Sequence, residues 1–388
     1  MQRKILSNLL LKTRLSKMLL TKTLIASAAV AVFFVQTGVL AAETVTDSSA
    51  PKATQKQAEI RPQMAQFRNL MQELSPYLLS EKEFNDPANQ KKIEKILADI
   101  NTNVASLNHK KDVQSTNMKF RFKALAEGFK DVEYTFKNRF LDYSYWALKS
   151  QLHQCSACHT EKQLEDRWYS SDALGKADLY SQAEFQFMLR GYEDAVKKYM
   201  QLIKEYPKNK ITEEQLNRAV KKTGYFYVRI LKDDIKSLEA FKEISSNKDL
   251  PNYLTRHLKK WIEYLEVKKY RLLPEISEGL TLDKLKKFVD EREKIASHFG
   301  GGDDRFPVDQ ETLIYLHQVL DKKPKKDAIP WLYLWIGQFQ NSYKESLFDN
   351  SGELYLKECF ESYPKSGAAA KCKAEYKTIT SERDERKK

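Results

Sequence analysis

Apolar residues recur every three or four positions along most of this 388-residue chain, and runs that alternate apolar with polar residues are scarce. Such spacing places apolar side chains on one face of an α-helix, whereas alternation would indicate a β-strand. The chain contains only 12 glycines and 11 prolines, so little interrupts the helical spacing. The pattern therefore predicts an all-α protein.

Four helices of about twenty residues each are predicted ahead of residue 155. The first covers about 61–80 and carries one apolar stripe, formed by Met64, Phe67, Met71, Leu74 and Leu78. The second follows Asp86, which can cap a helix, and Pro87, which suits a first helical turn. The third covers about 117–136, and the fourth follows it directly. Four such helices joined by short connections favour an up-down-up-down bundle.

The N-terminal residues 1–41 have the layout of a secretory signal peptide. Residues 1–23 carry six basic side chains and no acidic one, and the apolar run LIASAAVAVFFV follows. Small or branched residues stand at the positions that a signal peptidase reads, Val39-Leu40-Ala41, and predict cleavage after Ala41. This leaves residues 42–60 as a linker ahead of the first helix. A retained membrane anchor is the alternative, although this run is short for a hydrocarbon core of about 30 Å. The sequence therefore predicts an exported, periplasmic protein.

Loss of the signal peptide lowers the formal net charge from +13 to +7, because that segment carries six basic residues and no acid. Lysine and glutamate are mixed along the rest of the chain, which is typical of a solvated helical surface. An exported protein of this charge is not expected to bind nucleic acid. We expect at most a preference for acidic protein partners, and contact with a membrane only through such a partner.

The run CSACH, residues 155–159, ends the fourth predicted helix. In a C-x-x-C-H motif the two thiols form thioethers with the vinyl groups of haem, and the adjacent histidine binds the iron. A zinc site would need a second pair of ligands nearby, and the two other cysteines lie about two hundred residues away. A thioredoxin-like pair would follow a β-strand, and the sequence predicts none here. We therefore expect one covalent haem c, attached at Cys155 and Cys158, with His159 as the proximal iron ligand.

Side chains from the other three helices can complete the coordination of the iron. In an up-down-up-down bundle the end of the fourth helix lies beside the start of the first, the end of the second and the start of the third. That end of the bundle carries Met64, Met71, His109 and Met118. Any of these could supply the second axial ligand, and the position could also stay open. Arg68 could pair with a haem propionate.

Residues 61–165 resemble the class II c-type cytochromes, the cytochrome c-prime group, which carry C-x-x-C-H near the end of the fourth helix of such a bundle. Low-spin members take a methionine from the first helix as the distal iron ligand, and high-spin members leave that position open. The stretch FRNLMQELSPYL is similar to the first helix of this group. The resemblance therefore implies Met71 as the distal ligand, with His109 as its rival. Simple members end soon after the motif, whereas more than half of this chain follows it.

Residues 166–380 favour pairs of antiparallel helices. The stretch GYEDAVKKYMQLIKEYPKNK resembles the second helix of a tetratricopeptide repeat, with matches at Ala195, Tyr199, Leu202 and Pro207. The resemblance implies a tetratricopeptide-like solenoid of helical hairpins, whose concave surface binds a protein partner. Because the repeat period is irregular, a generic helical domain stays open as the alternative. Residues 381–388 are expected to form a disordered tail.

Cys359 and Cys372 lie on either side of Pro364, in two consecutive predicted helices. An antiparallel pair of helices would bring both cysteines onto facing surfaces, and exported proteins form disulfides in their oxidising compartment. The sequence therefore predicts a Cys359–Cys372 disulfide, with two buried thiols as the alternative.

These features predict an exported monohaem c-type cytochrome that transfers single electrons, with the helical second half as the docking domain for a redox protein partner. The fold expected is a four-helix haem-binding bundle followed by the helical-repeat domain. An enzyme is not expected, because no polar distal base for peroxidase chemistry is evident. Two alternatives stay open: an open distal position would suit a haem-based gas or redox sensor, and a structural haem would leave a periplasmic protein-interaction scaffold.

Overall fold

The computed structural model describes residues 61–107, 116–161, 174–175, 177–322, 324–347, 349 and 351–386; for 61, 116–121, 153–161, 268 and 382–386 it describes the backbone alone. The described residues form sixteen α-helices and no β-strand, which confirms the predicted all-α class. None of the described helices combines the length and the hydropathy needed to cross a bilayer. The predicted signal peptide, the linker 42–60 and His109 lie outside the described residues.

The first half of the described chain contains five helices. They are α1 (Arg61–Leu79), α2 (Glu81–Asn85), α3 (Gln90–Leu107), α4 (Thr116–Lys137) and α5 (Leu141–Glu161). The four helices predicted from apolar spacing correspond to α1, α3, α4 and α5. The pattern does not predict α2, because so few residues cannot show a helical period. The sequence feature that could have indicated α2 is its N-terminal cap, Ser80, whose Oγ accepts the N–H of Glu83.

The second long helix begins three residues later than predicted, at Gln90 instead of Pro87. A turn over Pro87–Asn89 precedes α3, and within it the N–H of Asn89 donates to the carbonyl oxygen of Asp86 (3.0 Å). Asp86 Oδ1 accepts the N–H of Ala88 in the same turn (2.9 Å). Aspartate side chains readily bond the backbone two residues on. Asp86 therefore caps the turn through which the chain enters the helix, and Pro87 lies in that turn, while the regular helix begins at Gln90.

The long helices pack consecutively, α1 on α3, α3 on α4 and α4 on α5, around a buried core that includes Phe129. Two contacts show that α5 runs antiparallel to α4. Ser144 Oγ, near the start of α5, donates to Thr135 Oγ1, near the end of α4 (2.9 Å). Farther along α5, the amide of Gln151 covers Gly128. The last turns of α5 therefore lie beside the first turns of α4.

The described part of the second half contains eleven α-helices. They are α6 (Leu179–Met188), α7 (Tyr192–Glu205), α8 (Glu213–Tyr225), α9 (Asp234–Ser245), α10 (Asn252–Glu266), α11 (Leu282–Phe299), α12 (Phe306–Asp321), α13 (Ile329–Asn341), α14 (Lys344–Leu347), α15 (Ser351–Ser362) and α16 (Ala369–Arg386). A π-helix (Phe226–Leu231) continues α8. Helices pack in pairs, among them α6 with α7, α9 with α10, α13 with α15 and α15 with α16. Helices that are close in sequence therefore pack on one another in this half, and the tetratricopeptide-like solenoid stays a prediction.

The C-terminal end differs from the expectation of a disordered tail. α16 continues to Arg386, although the sequence predicts disorder from residue 381. The final residues SERDERKK contain neither glycine nor proline. No stop signal therefore interrupts the helix that begins at Ala369.

A disulfide joins α15 to α16. Cys359 and Cys372 are bonded, with an S–S distance of 2.05 Å, and both residues are fully buried. This is the pairing that the sequence predicts. It connects the last helix of the described chain to α15, which in turn packs on α13.

Two glycines allow α13 and α15 to approach closely. A Cβ built on Gly352 would lie 2.7 Å from the carbonyl oxygen of Gly337. Because this clash is with backbone, we expect Gly352→Ala to lower the free energy of unfolding by about 1–3 kcal/mol, measured by chemical denaturation. Gly301→Ala is the control, since a Cβ there has no neighbour within 4 Å. A similar loss in both variants would contradict the close-approach explanation.

Candidate haem-attachment site

The C-x-x-C-H motif lies at the C-terminal end of α5. Cys155, Cys158 and His159 fall within the last two turns of this helix, where the structure describes the backbone alone. Residues three and four positions apart share one face of an α-helix, so the two cysteine positions and the histidine position lie on the same face. Among the side chains that the structure describes, no three His, Cys, Asp or Glu residues are grouped to hold a metal ion. The side chains of the motif lie outside that set.

Three further helices have an end beside the motif. The antiparallel pairing with α5 brings the first turns of α4 there, as described above. Tyr145 OH, near the start of α5, donates to the carbonyl oxygen of Leu78 at the end of α1 (2.9 Å), so the start of α1 lies toward the motif. Asn101 Nδ2 of α3 donates to the carbonyl oxygen of Phe129 on α4 (3.2 Å), which places the end of α3 there too. We call this half of the bundle the motif end; it comprises residues 61–71, 101–107, 116–128 and 150–161.

The candidate distal ligands lie at the motif end at different depths. Met71 is 4% exposed and belongs to the buried core of the bundle. Met64, two turns earlier on α1, is partly buried and packs against that core, whereas Arg68 is exposed. Only the backbone of Met118 is described, and His109 lies outside the described residues. Of the two candidate methionines whose side chains are described, Met71 is thus the more deeply buried, and its role as distal ligand stays a prediction.

Four amide groups at the motif end have buried atoms without a partner, which the apolar spacing does not predict. Asn103 on α3 is 4% exposed, and neither Nδ2 nor Oδ1 has a hydrogen-bond partner among the described residues. Gln63 Oε1 on α1, Asn101 Oδ1 on α3 and Gln151 Oε1 on α5 are likewise buried without a partner there. One signal could have drawn attention to Asn103. It follows Ile100 by three residues and precedes Leu107 by four, so a polar residue stands on an apolar face.

A separate polar cluster ties α6, α7 and α8 together. Lys222 Nζ contacts Glu184 Oε2 at 2.7 Å, and Tyr199 OH donates to Glu184 Oε1 at 2.6 Å. The side chains of Lys222 and Glu184 are 0% and 4% exposed. Burial opposes ionisation of Glu184, but the contacts with Lys222 and Tyr199 outweigh it and lower the pKa of the carboxyl. Burial lowers the pKa of Lys222 as well, although the contact with the Glu184 carboxylate opposes that shift, so each group favours the charged form of the other.

A cavity of about 1080 Å³ lies among the ends of α1, α5, α6 and α8. Its wall includes Tyr145, Lys149 and Arg218, together with the carboxylates of Glu81 and Glu214. Burial lowers the pKa of Lys149 to about 8. The cavity lies at the end of the bundle opposite the motif end, so it is distinct from the candidate haem site.

No protein-family model, no curated protein and no solved structure matches this chain. The resemblances to the class II c-type cytochromes and to tetratricopeptide repeats therefore rest on the sequence motifs alone and stay predictions. The C-x-x-C-H motif and its position at the end of α5 are the features that predict a haem site.

Proposed function

We propose that this protein is an exported monohaem c-type cytochrome that transfers single electrons in the periplasm. The observation that carries the proposal is the C-x-x-C-H motif, whose ligand positions share one face of the last two turns of α5. The basic and then apolar N-terminal segment supports export to a compartment in which haem thioethers are made. The proposal of export and the proposal of haem attachment thus come from two independent parts of the sequence.

The residues at the motif end suit a haem c group. Cys155 and Cys158 would hold its vinyl carbons as thioethers, and His159 would bind the iron as proximal ligand. Met71 would be the distal ligand, with His109 as the rival. The buried, largely apolar core beside them suits a porphyrin ring, and the unpaired amides suit its polar groups. When bound, haem supplies a one-electron couple between ferrous and ferric iron.

The helices of the second half would dock the redox partner. Ion pairs connect α15 to α4 of the bundle, with Lys357 Nζ 2.9 Å from Glu127 Oε2 and Lys123 Nζ 3.7 Å from Glu361 Oε2. Exposed pairs of this kind contribute at most about 1 kcal/mol each, so they add little to stability. Stacked helix pairs commonly bind proteins. The net positive charge of the chain favours an acidic partner.

Covalent attachment of haem tests the proposal directly. The full chain is produced with a cytochrome c assembly system, and haem that stays with the denatured polypeptide is measured by its absorption in alkaline pyridine. We expect one haem per chain in the wild type and none in the Cys155→Ser/Cys158→Ser variant. Cys359→Ser/Cys372→Ser is the matched control and should keep its haem, because those cysteines form a disulfide elsewhere. A wild type without covalent haem would overturn the proposal.

A further inference from the structure

Asn103 is a polar residue buried without a partner in the core of the bundle. It is 4% exposed, and both polar atoms of its side chain lack a hydrogen-bond partner among the described residues. Leaving buried donors and acceptors unpaired costs stability that an apolar side chain of similar size would not cost. Nearly all buried polar side chains in folded proteins have a partner. A polar group from outside the described residues is therefore expected beside Asn103.

Contacts between helices place Asn103 close to the level of the turn that precedes the motif. Two residues earlier on α3, Asn101 Nδ2 donates to the carbonyl oxygen of Phe129 on α4 (3.2 Å). The residue before Phe129 is Gly128. The side-chain amide of Gln151 on α5 packs against Gly128, in the space that a Cβ at this position would need. Gln151 precedes the motif by one helical turn. α3 packs on α1 and on α4, and α5 packs on α4. α3 therefore lies across the core from α5. Asn103, on α3, reaches the motif end from that side.

Buried hydroxyls at the other end of the bundle are paired within the protein. Ser144 Oγ donates to Thr135 Oγ1 at 2.9 Å, and Tyr145 OH donates to the carbonyl oxygen of Leu78 at 2.9 Å. Single buried atoms without a partner among the described residues occur at both ends, for example Asn85 Oδ1 at this end and Gln151 Oε1 at the motif end. Asn103 differs from these, because both polar atoms of its side chain are buried and unpaired.

Haem c brings two carboxylates, which sit on the porphyrin edge opposite the vinyl groups. If the vinyl edge is attached to α5, the carboxylate edge faces the helices across the core, and α3 is one of them. An amide N–H that donates to a carboxylate forms a charge-assisted hydrogen bond, which is stronger than a neutral one. We propose that Asn103 Nδ2 donates a hydrogen bond to a haem carboxylate, an inference that rests on the proposed function. The carboxylate loses water at this buried position, and the hydrogen bond from Nδ2 replaces part of that hydration.

The variant Asn103→Leu tests this role in two backgrounds. In the haem-free chain Cys155→Ser/Cys158→Ser, leucine removes an unpaired amide and should raise the ratio of folded to unfolded protein. In the haem-loaded wild type, the same change removes a hydrogen bond to a carboxylate and should lower that ratio about tenfold. Denaturant titration followed by circular dichroism measures both ratios. The expected result is an effect of opposite sign in the two backgrounds.

The reduction potential of the haem-loaded variant is a second readout, and it does not require the haem-free chain to fold. A carboxylate that loses its hydrogen-bond donor carries a less compensated negative charge, which stabilises ferric iron. We therefore expect the potential of Asn103→Leu to fall below that of the wild type, with the spectrum of the axial ligands unchanged.

Asn101→Leu is the matched control on the same helix. Its amide already donates to Phe129 and to Glu133, so this change should destabilise both backgrounds alike. If Asn103→Leu stabilises both backgrounds and leaves the potential unchanged, the inference fails while a haem-loaded wild type keeps the proposed function. A changed axial-ligand spectrum would assign the amide to the iron ligand and overturn the carboxylate assignment. A wild type without haem would overturn both proposals.

Discussion

Met71→Ala is expected to change a low-spin haem into a high-spin haem that binds carbon monoxide. Met71 is 4% exposed and lies on the stretch of α1 that reaches the motif end. A thioether bound to iron favours the low-spin state and raises the reduction potential, whereas a methyl group cannot coordinate. Absorption spectra of the oxidised and reduced protein, recorded with and without carbon monoxide, measure the change.

Loss of stability accompanies this substitution whether or not Met71 binds iron. Truncating a buried methionine to alanine costs about 2–5 kcal/mol, so a lower melting temperature alone would not identify a ligand. Met188→Ala is the matched control, because Met188 is 2% exposed and belongs to the same core. We expect a comparable loss of stability in that variant and an unaltered haem spectrum.

Three results would lead away from Met71. A low-spin spectrum that survives Met71→Ala would exclude it, and His109→Ala would then be the informative variant. A wild type that is already high-spin and takes up carbon monoxide would favour a gas sensor over an electron carrier. An equal spectral change in Met188→Ala would show that core disruption, and not loss of a ligand, is responsible.

Lys222→Met is expected to lower the free energy of unfolding by about 3–5 kcal/mol. The substitution leaves the Glu184 carboxylate buried without its cation, 2.7 Å from the position that Nζ occupied. Tyr199 still donates to it, but one neutral hydrogen bond does not replace an ion pair. The effect should extend to the bundle, because Phe185 and Met188 of the same helix as Glu184 pack in its core. Denaturant titration of the full chain measures the loss.

Two further variants identify the cause. Lys222→Met combined with Glu184→Leu removes both charges and should recover much of the lost stability, since apolar replacement of a buried pair is often neutral. Lys197→Met breaks a pair with Asp194 whose side chains are 77% and 38% exposed, and should cost less than about 1 kcal/mol. The explanation would fail if Lys222→Met were as mild as Lys197→Met, or if the double variant were no more stable than the single one.

Local patterns made the long helices predictable and marked the C-x-x-C-H motif. The hydrogen bonds of an α-helix join residues four apart, so its apolar face is visible in a short window of sequence, as it was for α1, α3, α4 and α5. The C-x-x-C-H motif is contiguous and needs no folding to be recognised. Prediction failed at α2, which is too short to show a period, and it placed the start of α3 at Pro87 instead of Gln90.

The pairing of buried polar groups became visible only in the tertiary structure. Glu184 and Lys222 are 38 residues apart on helices that look amphipathic or mixed in sequence, and nothing local marks them as partners. Asn103 likewise stands out only because its side chain is buried without a partner among the described residues, and the spacing of residues in the sequence does not show this. Which side chains meet across helices depends on how distant segments pack. That packing is set by the shape of the whole core, whereas the period of a helix is set by its own residues.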